Sequence, residues 1–213
     1  MPETNNRVII VDHPLVKHKL AQLRDKNTTC PQFRQLVREL AMLEGYEAAR
    51  NFPLKLIDVE TPIATAHCEK LAIEPVIVPI LRAGLGLLDG LLELVPSAAV
   101  GHLGMERDEE THVPRAYYAK MPPHLPERPA IIVDPMLATG GSAIAAIKYL
   151  RRQGVADITL MVMVAAPEGV EAVLAADEDV KIVTCAIDDC LNDAAYIVPG
   201  LGDAGDRIFG TMG

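Results

Sequence analysis

One stretch concentrates residues able to do chemistry. In Ala130 to Leu150, AIIVDPMLATGGSAIAAIKYL, an apolar run ends in an acid, a small-residue turn follows, and a helical pattern begins. Thr139, Gly140, Gly141 and Ser142 would present several backbone N–H groups at the positive end of a helix. The glycines let an oxygen approach the main chain with no Cβ in the way. That is the chemistry of a phosphate cradle. Asp134, at the carboxyl end of its run, stands too near such a phosphate to bind it and suits sugar hydroxyls or water on a metal. Plainer uses fit the same residues: Gly-Gly before a helix is a common turn, and an Asp closing a strand often only caps. The pattern G-x-x-x-x-G-K-[ST] is absent, and these glycines lack G-x-G-x-x-G spacing.

Such a cradle needs a sheet to carry it. From Pro75 onward, short continuous apolar runs alternate with helical segments, the pattern of strands buried on both faces. The runs are Val76 to Leu81, Ala98 to Leu103, Ala130 to Val133, Ile158 to Ala166 and Lys181 to Ile187. Helices are expected at Leu85 to Val95, Ser142 to Arg152 and Glu168 to Ala176. The spacing predicts an α/β fold with a doubly wound, mostly parallel sheet. Ahead of it, Val8 to Asp12 reads as a short extended piece. Two helical stripes follow, one from Pro14 through Leu23 and one from Pro31 to about Arg50, each with Pro in its first turn. Two segments break the rhythm, Glu106 to Pro126 and Asn192 to Gly213. Both are expected as loop or hairpin excursions above the sheet edge, where lids over reactive sites are found.

Length and charge narrow the possibilities. With 213 residues, the chain fits one domain, and no linker divides it. Half of the residues are apolar and only 4% aromatic, so the core must be aliphatic. A net charge of −9 disfavours nucleic-acid or membrane-surface binding, both of which need a basic face. Any anionic ligand must therefore be held by a local site. Cys30, Cys68, Cys185 and Cys190 lack C-x-x-C spacing and read as reduced thiols, with Cys185 and Cys190 expected to be buried. The opening MPETNNRVIIVDHP does not look like a secretory signal, and a soluble, cytoplasmic protein is expected.

VDPMLATGGS (Val133 to Ser142) resembles the loop that binds 5-phospho-α-D-ribose 1-diphosphate (PRPP) in type I phosphoribosyltransferases, in the form found in the uracil-specific family. VPILRAGLGLLDG (Val78 to Gly90), HPLVKHKL (His13 to Leu20) and YIVPGLGDAGDRIFGT (Tyr196 to Thr211) resemble the same family, so the likeness covers nearly the whole chain in order. The last of these looks like the family's uracil-binding hood, which other members of the superfamily lack. Most members carry two adjacent acids at the strand end. Here Asp134 is followed by Pro135, as in the uracil enzymes, which leaves fewer carboxylates for ribose and magnesium.

The resemblance implies transfer of phosphoribose from PRPP to uracil, giving UMP and pyrophosphate, under a flexible hairpin flap at about 106–126 and a hood at about 192–213. It assigns PRPP to Asp134, Pro135, Met136, Leu137, Ala138, Thr139, Gly140, Gly141 and Ser142, with Arg82 and Arg107 on the pyrophosphate. Uracil falls to Ile197, Gly202, Asp203 and Ala204, with Asp203 also near PRPP. Asp203 and Arg107 are the catalytic candidates. Mg²⁺ is expected to be carried by PRPP rather than by direct protein ligands. About three charge-assisted amide bonds near the low end of their range, on the order of 5 kcal/mol together, give a dissociation constant near 10⁻⁴ M, so the cradle needs these cations. The resemblance also implies a homodimer or homotetramer and a GTP effector. Two rivals are a pyrimidine-sensing RNA regulator on the same fold, which the acidic charge opposes, and a transferase for another base such as a purine. His13 and His18 stand five apart, the wrong spacing for a zinc helix, and with the other scattered histidines they read as structural.

Overall fold

The computed structural model describes residues 6–107 and 114–211, and the side chains of all of these except 106, 107, 114 and 115. In chain order the elements are β1 (Val8–Ile10), α1 (Pro14–Arg24), α2 (Cys30–Ala48), β2 (Leu54–Glu60), β3 (Thr65–Leu71), β4 (Val76–Leu81), α3 (Leu85–Leu94), β5 (Ala99–Val100), β6 (His102–Arg107) and β7 (Pro114–Lys120). A 3-10 turn (Leu125–Glu127) leads to β8 (Ala130–Val133), β9 (Met136–Leu137), α4 (Gly141–Arg152), β10 (Ile158–Ala165), α5 (Pro167–Ala176), β11 (Lys181–Ile187), β12 (Cys190–Leu191), β13 (Ile197–Val198) and α6 (Ala204–Phe209).

The main sheet runs β1-β11-β10-β8-β4-β6-β7, parallel except for the β6–β7 edge. In β8, Ile131 and Val133 face one way, into a core with Phe33, Leu40, Leu87 and Ile208 of α2, α3 and α6. Ala130 and Ile132 face the other way, against Ala146, Ile147 and Leu150 of α4 and Val173 of α5. Apolar residues on both faces of the strand are what make its sequence continuous rather than alternating. The α/β, doubly wound expectation holds.

Helix starts follow local chemistry. His13 caps α1, its Nδ1 accepting from the Leu15 N–H at 3.2 Å, ahead of Pro14. At α2, Gln32 reaches back to accept from the Thr29 N–H at 3.1 Å.

Several expectations are corrected. The run Ala98 to Leu103 is two strands, broken at Gly101, where a Cβ would meet Met121 Sδ at 2.4 Å. The β6–β7 pair extends the sheet edge rather than standing above it, and residues 108–113 of the expected flap lie outside the described residues. The tail forms the β12–β13 hairpin and α6, with Ile197 and Ile208 buried but Tyr196 and Phe209 exposed. Cys185 is buried as expected. Cys190 is exposed because its short strand belongs to a hairpin outside the main sheet. The sequence reading passed over the β2–β3 hairpin, whose two strands pair only with each other.

Candidate active site

Parallel strands bring their carboxyl ends to one edge, and the loops that follow β4, β8 and β11 meet there. After β4 the Leu81–Arg82 peptide is cis, and the chain turns tightly into α3, with the Gly84 N–H donating to Ile80 O at 2.9 Å. A Cβ on Gly84 would stand 2.4 Å from Val133 O and 2.7 Å from Ile80 N, so only glycine lets this turn sit on the end of β8. The turn presents Arg82 to solvent, with no hydrogen bond or ion pair among the described residues.

The loop after β8 is pinned along its length by β10. The Asp134 N–H donates to Met161 O (3.2 Å), Pro135 O accepts from the Met163 N–H (3.1 Å), and Leu137 O accepts from the Ala166 N–H (2.8 Å). Met136 and Leu137 form β9, parallel to β10. Beneath the loop, Gly169 of α5 lies so close that a Cβ there would meet Ala138 O at 2.2 Å. Gly140 then takes φ +83° and α4 begins. Thr139 and Ser142 are exposed, and the first-turn N–H groups of α4 have no partner within the helix. A rigid mouth of unpaired donors at the end of a 12-residue helix is suited to a phosphate.

Asp134 is half-buried at the foot of this loop. Burial pushes its carboxyl up to about 7, and the charge of Asp203 adds to the rise, while the Met136 N–H opposes it. Asp203 therefore lies near enough to Asp134 for its charge to act on that carboxyl. Asp203 caps α6, its Oδ1 accepting from the Asp206 N–H at 2.9 Å. The next turn of the hood touches the Arg82 loop: a Cβ built on Gly205 would lie 3.7 Å from Ala83 Cβ. Of the base-binding candidates, Ile197 and Ala204 are buried, while Gly202 (φ +77°) and Asp203 are exposed. The fold thus gathers Arg82, Asp134 to Ser142 and the Ile197 to Ala204 hood at one edge. Arg107 closes β6 by its backbone, and its side chain lies outside the described residues.

Among the described residues no group of three or more His, Cys, Asp and Glu side chains could hold a metal. Two neighbouring carboxylates, Asp134 and Asp203, fit the outer waters of an ion held by phosphate oxygens better than they fit direct ligation.

Sequence reasoning missed two supports of the hood, Arg24 at the end of α1 and Asp188 just after β11. Asp188 carried the same signal as Asp134, an acid closing an apolar strand.

A family model described as uracil phosphoribosyltransferase matches residues 10–211. A uracil phosphoribosyltransferase of Symbiobacterium thermophilum is 53% identical over 97% of this chain and 99% of that protein. The solved structure of the AQ2163 protein from Aquifex aeolicus superposes with a TM-score of 0.89 at 38% identity, covering 95% of this chain and 97% of that one. A hypoxanthine phosphoribosyltransferase from Staphylococcus aureus shares the fold at 13% identity, with a TM-score of 0.52 over 81% of this chain and 80% of that one. Matched by that model over nearly its whole length and 53% identical to the Symbiobacterium protein, the chain belongs to the uracil phosphoribosyltransferase family.

Proposed function

We propose that the chain transfers the phosphoribosyl group of PRPP to uracil, giving UMP and pyrophosphate, as a pentosyltransferase of pyrimidine salvage. The observation that carries this reading is the hood lying against the turn that carries Arg82, where a Cβ on Gly205 would stand 3.7 Å from Ala83 Cβ, near enough to the phosphate loop for the charge of Asp203 to act on Asp134. Uracil N1 forms a bond to the anomeric carbon as that carbon's bond to pyrophosphate breaks, and the N1 proton passes from the uracil to an acceptor, either Asp203 or the departing pyrophosphate. The backbone donors of Thr139 to Ser142 hold the 5′-phosphate, and Asp134, with Pro135 to Ala138 lining the loop, holds the ribose. Arg82, joined by Arg107 from the flap, neutralises the pyrophosphate as its charge grows, the part of the reaction that most needs fixed cations. Ile197, Gly202 and Ala204 offer the main chain that reads a small, neutral, planar base. Cytosine would leave donors and acceptors at position 4 unpaired, a penalty of ~1–3 kcal/mol per group. Asp203 stands where it can orient the base or accept the N1 proton.

Mg²⁺ arriving on PRPP would spread the leaving-group charge, with Asp134 and Asp203 facing its waters. Self-association as a homodimer or homotetramer is supported by the β2–β3 hairpin, which exposes Leu56 (79%) and Ile63 (93%). A GTP effector remains part of this reading through the family resemblance. Four free thiols support a cytoplasmic setting. Incubating the protein with PRPP, Mg²⁺ and one base at a time tests the reading: UMP should form from uracil, with at least tenfold less product from cytosine, hypoxanthine or guanine. No UMP would refute it.

A further inference from the structure

We infer that Arg24 and Asp188 are positioning residues for the pyrimidine base, clamping the one hood peptide around which the base-reading groups are arranged. This rests on the reading of the hood as the uracil site. The two residues lie 164 apart in sequence and form a forked ion pair, Arg24 NH1 to Asp188 Oδ2 at 2.7 Å and NH2 to Oδ1 at 2.5 Å. Both then turn to a single residue of the hood: the Gly200 N–H donates to Asp188 Oδ2 at 2.8 Å, and Gly200 O accepts from Arg24 NH1 at 2.7 Å. One charged pair therefore satisfies both main-chain polar groups of Gly200. These are charge-assisted bonds in a partly dry setting, since the Asp188 side chain is only 4% exposed.

Only glycine fits the clamped position. Gly200 has φ +60°, and a Cβ there would stand 2.1 Å from Ile197 O, so the turn folds back on the first base-binding candidate. The next carbonyl, Leu201 O, is taken by Arg207 NH1 at 2.8 Å. That guanidinium lies 4.3 Å over the Phe33 ring and reaches Asp25 O at 2.6 Å, beside Arg24. Gly202, which follows, has neither its N–H nor its C=O in a hydrogen bond among the described residues. Arg24, Asp188 and Arg207 thus fix the two peptides before Gly202 and leave Gly202 to Ala204 to face a ligand.

The phosphate loop depends on none of these three side chains, because its bonds run to β10. Loss of the clamp should therefore move the base without moving the sugar phosphate, and a displacement of about 1 Å costs on the order of 100-fold in a positioned reaction.

Asp188→Asn keeps size and an acceptor for the Gly200 N–H but removes the charge, and Arg24→Lys keeps the charge but removes the fork. In steady-state assays, the KM for uracil should rise about tenfold or more in both, while the KM for PRPP stays within about twofold and PRPP with Mg²⁺ still raises the melting temperature. Arg24→Lys should fall between the parent protein and Arg24→Ala. A uracil KM within twofold of the parent in a folded variant, or equal rises in both KM values, would overturn the inference. So would failure of both variants to fold, which would make the pair a structural support only. If the parent protein makes no UMP, the site reading itself fails; if it does and the variants keep their uracil KM, only the clamp fails.

Discussion

Replacing Asp134 by Asn should stabilise the ligand-free protein at neutral and alkaline pH while weakening PRPP binding. Its carboxyl is pushed up to about 7 by burial and by the nearby charge of Asp203, against an ordinary value of 3.8. Below the ordinary value the folded and unfolded chains both hold the proton. Between the two values only the folded chain does, so stability falls as pH rises through this window and levels off above about 7. Each unit of difference is worth ~1.4 kcal/mol, giving ~4 kcal/mol at most, and about 2 kcal/mol once the water reaching a half-buried group is counted. Asn carries no charge and escapes this loss. At ~2–4 °C per kcal/mol for a chain of this size, Asp134→Asn should melt about 4–8 °C higher than the parent at pH 8, and the difference should shrink towards pH 5. In the same variant, loss of charge-assisted bonds to the ribose, at ~1.5–3 kcal/mol, should raise the KM for PRPP roughly 10- to 100-fold. Thermal melts from pH 5 to 9 with kinetics at pH 8 measure both. A variant less stable than the parent at pH 8, or a gap that widens towards acid, would refute the electrostatic reasoning.

Other consequences are as specific. Arg82→Ala should leave the melting temperature within about 2 °C, since the exposed guanidinium has no partner among the described residues, yet raise the KM for PRPP about tenfold or more. Gly84→Ala should cost ~1–3 kcal/mol and reduce turnover, because the new methyl would strike Val133 O and Ile80 N; calorimetry and initial rates check both. Glu44 of α2 is fully buried against Cys185, with neither carboxylate oxygen in a hydrogen bond of ordinary geometry, and burial pushes its carboxyl well above the usual range. Stability lost as pH rises above that range should be recovered in Glu44→Gln, seen as a higher melting temperature at pH 8 than the parent's. Turnover should stop in excess EDTA and return with added Mg²⁺; full activity in chelator would exclude the metal requirement.

What could be read from the chain follows from where each residue's partners lie. β4, β8 and β11 sit where their apolar runs place them, because strands covered on both faces leave no polar gap in the sequence. The phosphate loop was legible because its signal is local: the acid, the glycines and the helix start lie within ten residues. The β2–β3 hairpin was passed over because neither strand buries a full face: Leu54–Glu60 is exposed except at Ile57, and Thr65–Leu71 alternates only between half-buried and exposed residues. Nor could sequence pair Arg24 with Asp188, whose contact spans 164 residues and exists only once α1 packs beside the end of β11. Nor does the sequence show that Met121, twenty residues on, packs where a side chain at Gly101 would stand.

The most direct measurement is a crystal structure with UMP bound. There the phosphate should lie within hydrogen-bond reach of the Thr139 to Ser142 amides, the ribose hydroxyls at Asp134, and the uracil ring against the main chain of Gly202 to Ala204. A nucleotide bound elsewhere, or a ring that makes no contact with residues 197–204, would contradict it.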